Sequence, residues 1–167
     1  TRYIGDWSSD VCSSDLIDLS PPVAAASLAQ AHRATLADGR AVAVKVLRPG
    51  VERRVANGLD SMRLAARVVW RLVPMARRLE PSAFVETIAN SLDLELDMRL
   101  EAAAASEMAE VLAKDGYMSA PAVIWDGVGK RVLTLEWAQG VPMTDPALMD
   151  LPGIDTDQLA DNVVRAF

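Results

Sequence analysis

Residues 30–46 read QAHRATLADGRAVAVKV and contain the pattern that decides the fold. Two short segments, residues 30–35 and 41–46, flank the sequence Leu-Ala-Asp-Gly-Arg. Asp-Gly is a strong signal for a turn between antiparallel strands, because glycine readily adopts the positive φ angles that such turns require. The stretch therefore predicts an antiparallel hairpin that carries Lys45 near the end of its second strand.

Helical patterns follow this hairpin. Apolar residues recur every three or four positions over residues 51–73, which predicts an amphipathic helix that ends before a proline. A second helix is expected to begin after Pro81, with Ser82 as its N-cap, and to continue to Lys114. Gly116 is expected to end it.

A second hairpin is predicted further along the chain. Residues 122–125 are expected to pair with residues 131–137 across the sequence Asp-Gly-Val-Gly. A last helical pattern follows, with apolar residues at Leu159, Val163, Val164 and Phe167. Hairpin, two helices, hairpin and helix in this order predict an α+β fold, with an antiparallel sheet packed on helices.

Composition and charge exclude several classes of function. The 167 residues are 51% hydrophobic, which is enough for a buried core. Acidic residues outnumber basic ones by 23 to 17, so the net charge is −6 and no nucleic-acid partner is expected. Charged residues interrupt every apolar run before the roughly 18 residues of a membrane span, so this segment is expected to be soluble by itself. Cys12 is the only cysteine, so there is no disulfide framework.

The first residues differ in composition from the rest of the chain. Residues 6–16, DWSSDVCSSDL, are rich in Ser and Asp and have neither helical nor strand periodicity. They match the in-frame translation of a short-read sequencing adapter, so residues 1–16 are expected to be a non-native leader that packs poorly. A flexible polar leader is the alternative. The adapter interpretation requires that Trp7 and Val11 lie outside the core.

Four features follow one another in an order typical of nucleotide binding. A small-residue turn over residues 22–30 precedes the first strand, and Lys45 ends the second. The predicted helix that follows carries Glu95, Asp97 and Glu101, and residues 133–137 then form the last strand before a glycine. Kinases hold the nucleotide phosphates with a loop, a strand lysine and a helix carboxylate in this order. Taken alone, Lys45 would more often be a solvated strand end.

The helix carboxylates can be placed by their spacing. Asp97 and Glu101 are expected on one face of the helix, where they repel each other unless a cation lies between them. Lys45 is the expected cation for Glu101. Glu95 is expected within the apolar stripe, and an ion pair with Arg99 at i+4 is the alternative to a role in a site.

Three segments of the chain resemble the UbiB/aarF family of atypical protein-kinase-like proteins. They are residues 22–33, PVAAASLAQAHR, residues 38–51, DGRAVAVKVLRPGV, and residues 92–103, LDLELDMRLEAA. The resemblance covers residues 17–145 and includes an alanine-rich loop in place of a glycine-rich one and an E-x-D motif. It implies that residues 17–145 are the small N-terminal lobe of a protein-kinase-like fold and that residues 146–167 begin a truncated large lobe.

The resemblance also implies roles for single residues. Lys45 would contact the α and β phosphates, with Glu101 as its helix partner, and the loop over the phosphates would be Ala24, Ala25, Ala26 and Ser27. Glu95 and Asp97 would form the E-x-D motif, which in the family meets a K-x-G-Q segment that this sequence lacks. The hinge that reads the adenine edge would include Glu136 and Trp137, although Trp137 could equally be a core or rim aromatic.

The alanine-rich loop has a physical meaning. Alanine disfavours the positive φ angles and the close backbone approach that glycine permits, so the phosphates should sit differently than in ordinary kinases. The resemblance implies a cytoplasmic small-molecule kinase or ATPase that supports ubiquinone biosynthesis and uses ATP with Mg²⁺, with the parent protein at the inner face of the bacterial plasma membrane. Chance is the alternative for the three alanines, because the whole chain is rich in alanine.

The family's catalytic Asp and Asn and its metal-binding Asp lie in the large lobe, beyond residue 167. No catalytic or metal-binding residue is therefore expected in this chain, and little or no turnover.

A competing hypothesis is an interaction module that docks ubiquinone-pathway enzymes or a lipid membrane surface without using nucleotide. Its docking surface would be the Arg-rich helix over residues 51–73. A basic strip of Arg67, Arg71, Arg77 and Arg78 could bind anionic lipid heads, although a solvated helix face is the simpler explanation. A ring hydroxylase is rejected, because no G-x-G-x-x-G fingerprint follows a strand. His32, the only histidine, is expected to be structural, and so are the Pro21-Pro22 pair and the Arg-Pro-Gly turn at residues 48–50.

Overall fold

The computed structural model describes residues 16–143, 145 and 153–165. In these residues one antiparallel sheet has the strand order β1-β2-β3-β4, formed by Leu16–Ala25, Ala29–Leu36, Ala41–Leu47 and Val132–Glu136. The helices α1 to α4 are Val51–Leu72, Pro81–Glu95, Met98–Asp115 and Thr156–Arg165. Two short 3₁₀ helices span Pro74–Leu79 and Trp125–Gly127. This is the α+β architecture that the sequence predicted.

The first predicted hairpin is confirmed as β2 and β3. The strands pair in register from Ala29 opposite Leu47 to Thr35 opposite Ala41. Gly39 has a φ of 86° in the turn, as the Asp-Gly signal requires. The Asp38 carboxylate also accepts a hydrogen bond of 2.9 Å from the Arg40 backbone N–H, which stabilises the turn.

The segment predicted as a small-residue turn is mostly strand, so that prediction is wrong. Ala24 and Ala25 belong to β1 and pair with Ala31 and Gln30, and only residues 26–28 turn the chain. Prolines are tolerated because β1 is an edge strand, and the pairing shifts register around Pro22. Alanine has no turn-specific conformation, so composition could not locate the turn.

Residue 16 also departs from expectation. Leu16 opens β1, pairs with Leu36 and packs against the core, so it belongs to the sheet rather than to a leader. Trp7 and Val11 lie outside the described residues.

The helix predicted from Ser82 to Lys114 is two helices. Helix α2 begins after Glu80, not Ser82, and the chain breaks between Glu95 and Met98. Leu96 and Met98 are both buried, yet residues two apart on a continuous helix point about 200° away from each other. The break turns both side chains into the core, and a backbone hydrogen bond from the Met98 N–H to the Lys130 carbonyl (2.9 Å) holds it.

The second predicted hairpin is confirmed only in part. Residues 132–136 form β4, but on the other side Val123 makes a single bridge to Leu135 instead of a strand. The intervening residues close in a 3₁₀ turn, and Gly127 lies directly against the buried Thr134 side chain. The Thr134 hydroxyl donates a hydrogen bond of 2.8 Å to the Gly127 carbonyl.

The sheet has a core on each face. On one face, six buried side chains pack against one another, namely Ala34, Leu36, Val42, Val44, Val46 and Val132. The other face packs against the break before α3 and its first turns, through Leu47, Leu96, Met98, Ala102 and Leu133. A third cluster joins α1 to α2 through Leu59, Ala66, Val85 and Ala89. The lysine of β3 lies on the second of these faces.

Candidate functional site

Lys45 is positioned by the alternation of β3. Its neighbours Val44 and Val46 are almost fully buried on one face, so the lysine points to the other. In the sheet it lies between Ala31 of β2 and Leu133 of β4. The small alanine leaves space beside the ammonium group.

Glu101 is positioned by the start of α3. The Asp97 side chain caps this helix by accepting a hydrogen bond from the Arg99 backbone N–H, and Glu101 lies in the first turn. The next residue, Ala102, is completely buried and holds that turn against the sheet. A carboxylate in the first turn of a helix is also favoured by the helix dipole.

The two side chains meet as the sequence predicted. Lys45 Nζ lies 2.6 Å from Glu101 Oε1 and 2.8 Å from Oε2, so it donates to both oxygens. The Lys45 and Glu101 side chains are 36% and 45% exposed. The pair is therefore accessible to a ligand from solvent, and the lysine is oriented without being buried.

A cleft of about 310 Å³ surrounds this pair. Its lining includes Ala26 and Ser27 of the predicted loop, both partners of the ion pair, and Glu95. A smaller cleft of about 190 Å³ adjoins Lys45 and is lined almost entirely by alanines, including Ala24, Ala25 and Ala26. The structure thus brings the predicted loop residues, the lysine and Glu101 together.

The two acidic residues of the E-x-D motif, Glu95 and Asp97, have different positions and contacts. Glu95 is exposed and lines the cleft, contrary to its expected inward position. The alternative, an ion pair between Glu95 and Arg99, does not form, because Arg99 binds Asp97. Asp97 does not share a helix face with Glu101, because it adopts an extended conformation at the N-cap. Hydrogen bonds from the Arg99 side chain and backbone lower the pKa of Asp97 from its ordinary 3.8 to about 2.

Glu136 and Trp137 line neither of these two clefts. Their backbone N–H groups donate to the carbonyls of Ala122 (2.9 Å) and Ala41 (3.1 Å), so neither N–H is available to an adenine edge. The Arg33 guanidinium stacks over the Trp137 ring, 5.1 Å from its centroid. Contact of these two residues with nucleotide stays a prediction.

Arg48 is a residue of the site that the sequence interpretation took for framework. Its Nε donates to the Ala26 carbonyl (3.0 Å), and its backbone N–H donates to the Leu28 carbonyl (2.8 Å). Both bonds tie the turn between β1 and β2 to the end of β3. The available signal was that the Arg-Pro-Gly turn directly follows the strand of Lys45.

The cleft residues do not form a Mg²⁺ site. They offer two carboxylates, and both oxygens of Glu101 already accept from Lys45. Across residues 16–143, 145 and 153–165, no group of three or more His, Cys, Asp or Glu side chains could hold a metal ion. In the same part of the chain, no helix has both the length and the apolar character needed to span a membrane.

A four-stranded antiparallel sheet whose lysine pairs with a helix carboxylate defines the class, the small lobe of a kinase-like fold. The chain belongs to the ABC1 atypical kinase-like domain family, whose model matches residues 18–167.

Two similar proteins support the assignment to this family. "Probable protein kinase UbiB" of Xylella fastidiosa strain M23 is 39% identical over 146 residues, covering 87% of this chain and 26% of the relative. The protein of the same name in Xanthomonas campestris pv. campestris strain B100 is 40% identical over 151 residues, covering 87% and 27%. The chain thus spans about a quarter of the length of these relatives.

A solved structure also resembles the chain. It is the Rv3197–erythromycin complex from Mycobacterium tuberculosis, with a TM-score of 0.55 and 30% sequence identity. The similarity covers 78% of this chain and 32% of the other.

Proposed function

We propose that this chain is the nucleotide-binding lobe of an atypical kinase or ATPase that supports ubiquinone biosynthesis. Lys45 contacts the α and β phosphates of ATP, and Glu101 orients the lysine. Residues 24–27 cover the phosphates, and residues 136 and 137 border the adenine. Membership of the family supports this assignment.

The observation that carries the proposal is the Lys45–Glu101 ion pair at the open cleft. Because both carboxylate oxygens accept from one ammonium, the lysine is held in place before a ligand arrives. A triphosphate has more negative charge than a carboxylate and would share the ammonium with Glu101. A preorganised lysine of this kind is one of the recurring parts with which kinases hold phosphates.

The pairing of Ala24 and Ala25 within β1 gives the alanine-rich loop a specific consequence. Both residues pair with β2, so residues 26–28 are the only part of the predicted loop region that lies outside the strands. A short turn offers fewer free backbone N–H groups than an open glycine-rich loop. We therefore propose that nucleotide binding depends strongly on the Lys45 side chain.

Calorimetric titration of the 167-residue chain with ATP tests the assignment. Lys45→Ala should weaken binding at least about tenfold, because it removes a charge-assisted contact that contributes roughly 1.5–3 kcal/mol. Glu101→Gln should weaken binding less, because Glu101 acts only by orienting the lysine. Lys114→Ala and Glu107→Gln are matched controls, since both residues are exposed on α3 and line neither cleft. Equal ATP affinity in all five proteins would contradict the proposal.

We further propose that the chain alone does not turn ATP over. Phosphoryl transfer needs metal ligands and a carboxylate that orients the acceptor, and the cleft residues supply no Mg²⁺ site. The chain should therefore release no phosphate above background from ATP with Mg²⁺. Phosphate release that is lost on Lys45→Ala would disprove this part.

An apolar surface favours a second candidate function, docking to a membrane. The end of α1 and the segment after it expose large apolar side chains to 52–86%, namely Trp70, Leu72, Met75 and Leu79. Arginines lie beside them, and the Arg77 guanidinium stacks 4.9 Å from the Trp70 ring centroid. Apolar and basic side chains together suit the interface of an anionic bilayer.

Co-sedimentation with vesicles of phosphatidylglycerol and phosphatidylcholine tests this second candidate. Leu72→Ser should release the chain from the vesicles, whereas Met108→Ser, which removes a similarly exposed side chain from α3, should not. Sedimentation unchanged by Leu72→Ser would exclude this surface as the membrane contact.

A further inference from the structure

A basic cleft lies on the sheet face opposite Lys45. Its volume is about 520 Å³, and it is lined by Pro22, Gln30, His32, Arg48, Pro49 and Arg54. Gln30 and His32 pair with Val46 and Val44, which places them on the face that turns away from the lysine. No carboxylate lines this cleft, although the chain as a whole has a net charge of −6. Such a local reversal of charge favours an anionic ligand.

His32 is the most buried polar group of this cleft. The residue is only 8% exposed, and its Nδ1 lies 2.9 Å from the Ser20 carbonyl oxygen. A carbonyl can only accept, so Nδ1 carries the hydrogen and Nε2 is left for another partner. Within the described part of the chain, the structure gives Nε2 no protein partner. This unprotonated Nε2 is therefore available to a ligand in the cleft that His32 lines.

Arg48 supplies a fixed donor at the same place. Its Nε is bonded to the Ala26 carbonyl, which orients the guanidinium, while its terminal nitrogens have no partner among the described residues. Arg54 lies in the first turn of α1, whose N-cap residue Gly50 provides no side-chain cap. The positive end of this helix adds to the field of the two arginines.

We propose that this cleft binds a phosphate group, carried by a soluble phosphate ester or by a phospholipid headgroup. The two guanidiniums and the Gln30 amide provide more N–H donors than the two oxygens of a carboxylate can use, and the unprotonated His32 Nε2 can accept from a P–OH group. They suit a tetrahedral anion with three or four oxygens, which arginine forks recognise well. The site is distinct from the Lys45 cleft and does not depend on nucleotide binding there.

Arg48 connects the two clefts. Arg48 lines the basic cleft, and its Nε bond reaches Ala26, which lines the Lys45 cleft. A phosphate held by Arg48 therefore acts on the peptide group between Ala26 and Ser27, whose N–H reports on it.

Titration of the ¹⁵N-labelled chain with inorganic phosphate, followed by amide NMR, tests the site. Saturable shifts are expected at Gln30, His32 and Ser27. Arg54→Gln should weaken the binding at least about tenfold, as the loss of a charge-assisted contact implies. Arg53→Gln is the matched control, because it removes the same charge from the neighbouring exposed residue, which does not line the cleft. Thermal unfolding should be the same in both variants.

Three results would overturn the proposal. One is an equal loss of affinity in Arg53→Gln and Arg54→Gln, which would mean general electrostatic attraction. Another is full phosphate affinity in Arg54→Gln together with its loss in Lys45→Ala, which would place the phosphate in the other cleft. The third is the absence of saturable shifts.

Vesicles containing phosphatidic acid decide the source of the phosphate group. Co-sedimentation that is lost in Arg54→Gln and kept in Arg53→Gln supports a lipid headgroup. Phosphate binding that requires Arg54, with co-sedimentation equal in the two variants, supports a soluble phosphate ester.

Discussion

The Lys45–Glu101 pair should stabilise the fold very little, although it connects β3 to α3. The perturbation is a double-mutant cycle with Lys45→Ala, Glu101→Ala and both together. The side chains are 36% and 45% exposed, and pairs that face solvent contribute about 0.2–1 kcal/mol. The bidentate geometry places this pair near the upper end, so we expect a coupling free energy of about 1 kcal/mol or less.

Urea unfolding followed by circular dichroism measures this coupling, and ATP titration of the same proteins measures binding. Arg63 and Glu86 form a matched control pair between α1 and α2, with hydrogen bonds of 2.9 and 3.1 Å and side chains 41% and 54% exposed. Its cycle should give a similar coupling, but Arg63→Ala should leave ATP affinity unchanged.

The two measurements separate a functional pair from a structural one. A coupling above about 2 kcal/mol for Lys45 and Glu101 would refute the reasoning, because exposed pairs do not reach that value. The pair would then serve mainly to stabilise the fold. Equal loss of ATP affinity in the Arg63 and Lys45 variants would refute the functional part.

Substitutions at three further positions test the residues that support the site. Gly127→Ala should lower the free energy of unfolding by about 2–4 kcal/mol in urea titrations, because the new Cβ would lie 2.6 Å from Thr134 Oγ1 and strain a buried hydrogen bond. An unchanged stability would contradict a close contact between Gly127 and the Thr134 side chain. Asp97→Ala should cost about 1–2 kcal/mol through loss of the α3 cap and the Arg99 ion pair. Because the folded pKa of Asp97 is lowered to about 2, the advantage of wild type over Asp97→Asn should be full above pH 4 and disappear as the pH falls through 2, as acid titrations of both proteins would show. Ala102→Leu should cost about 1–3 kcal/mol by overpacking a completely buried position, and stability equal to wild type would disprove close packing of α3 on the sheet.

Local signals were sufficient where neighbouring residues decide the conformation. The Asp-Gly turn placed β2 and β3 because glycine accepts the positive φ angle whatever surrounds it. The periodicity of α1 and its proline stop placed that helix almost to the residue. The pairing of Lys45 with Glu101 was also predictable, because the resemblance to the family implied it.

Packing decided the remaining features. Leu96 and Met98 break the predicted helix because both are buried on the same side, a demand that no local propensity contains. The same break placed Asp97 at a helix cap instead of on the helix face of Glu101, and it left Glu95 lining the cleft.

The sequence by itself determined the class of the fold, the first hairpin and the lysine with its carboxylate partner, since these depend on local backbone preference and on residue order. Only the tertiary structure decided that Ala24 and Ala25 are strand and that Arg48 links two clefts. It also decided that His32 and Arg54, which are 22 positions apart in the sequence, line the same basic cleft. These features arise from contacts between segments distant in the chain, which side-chain periodicity cannot encode.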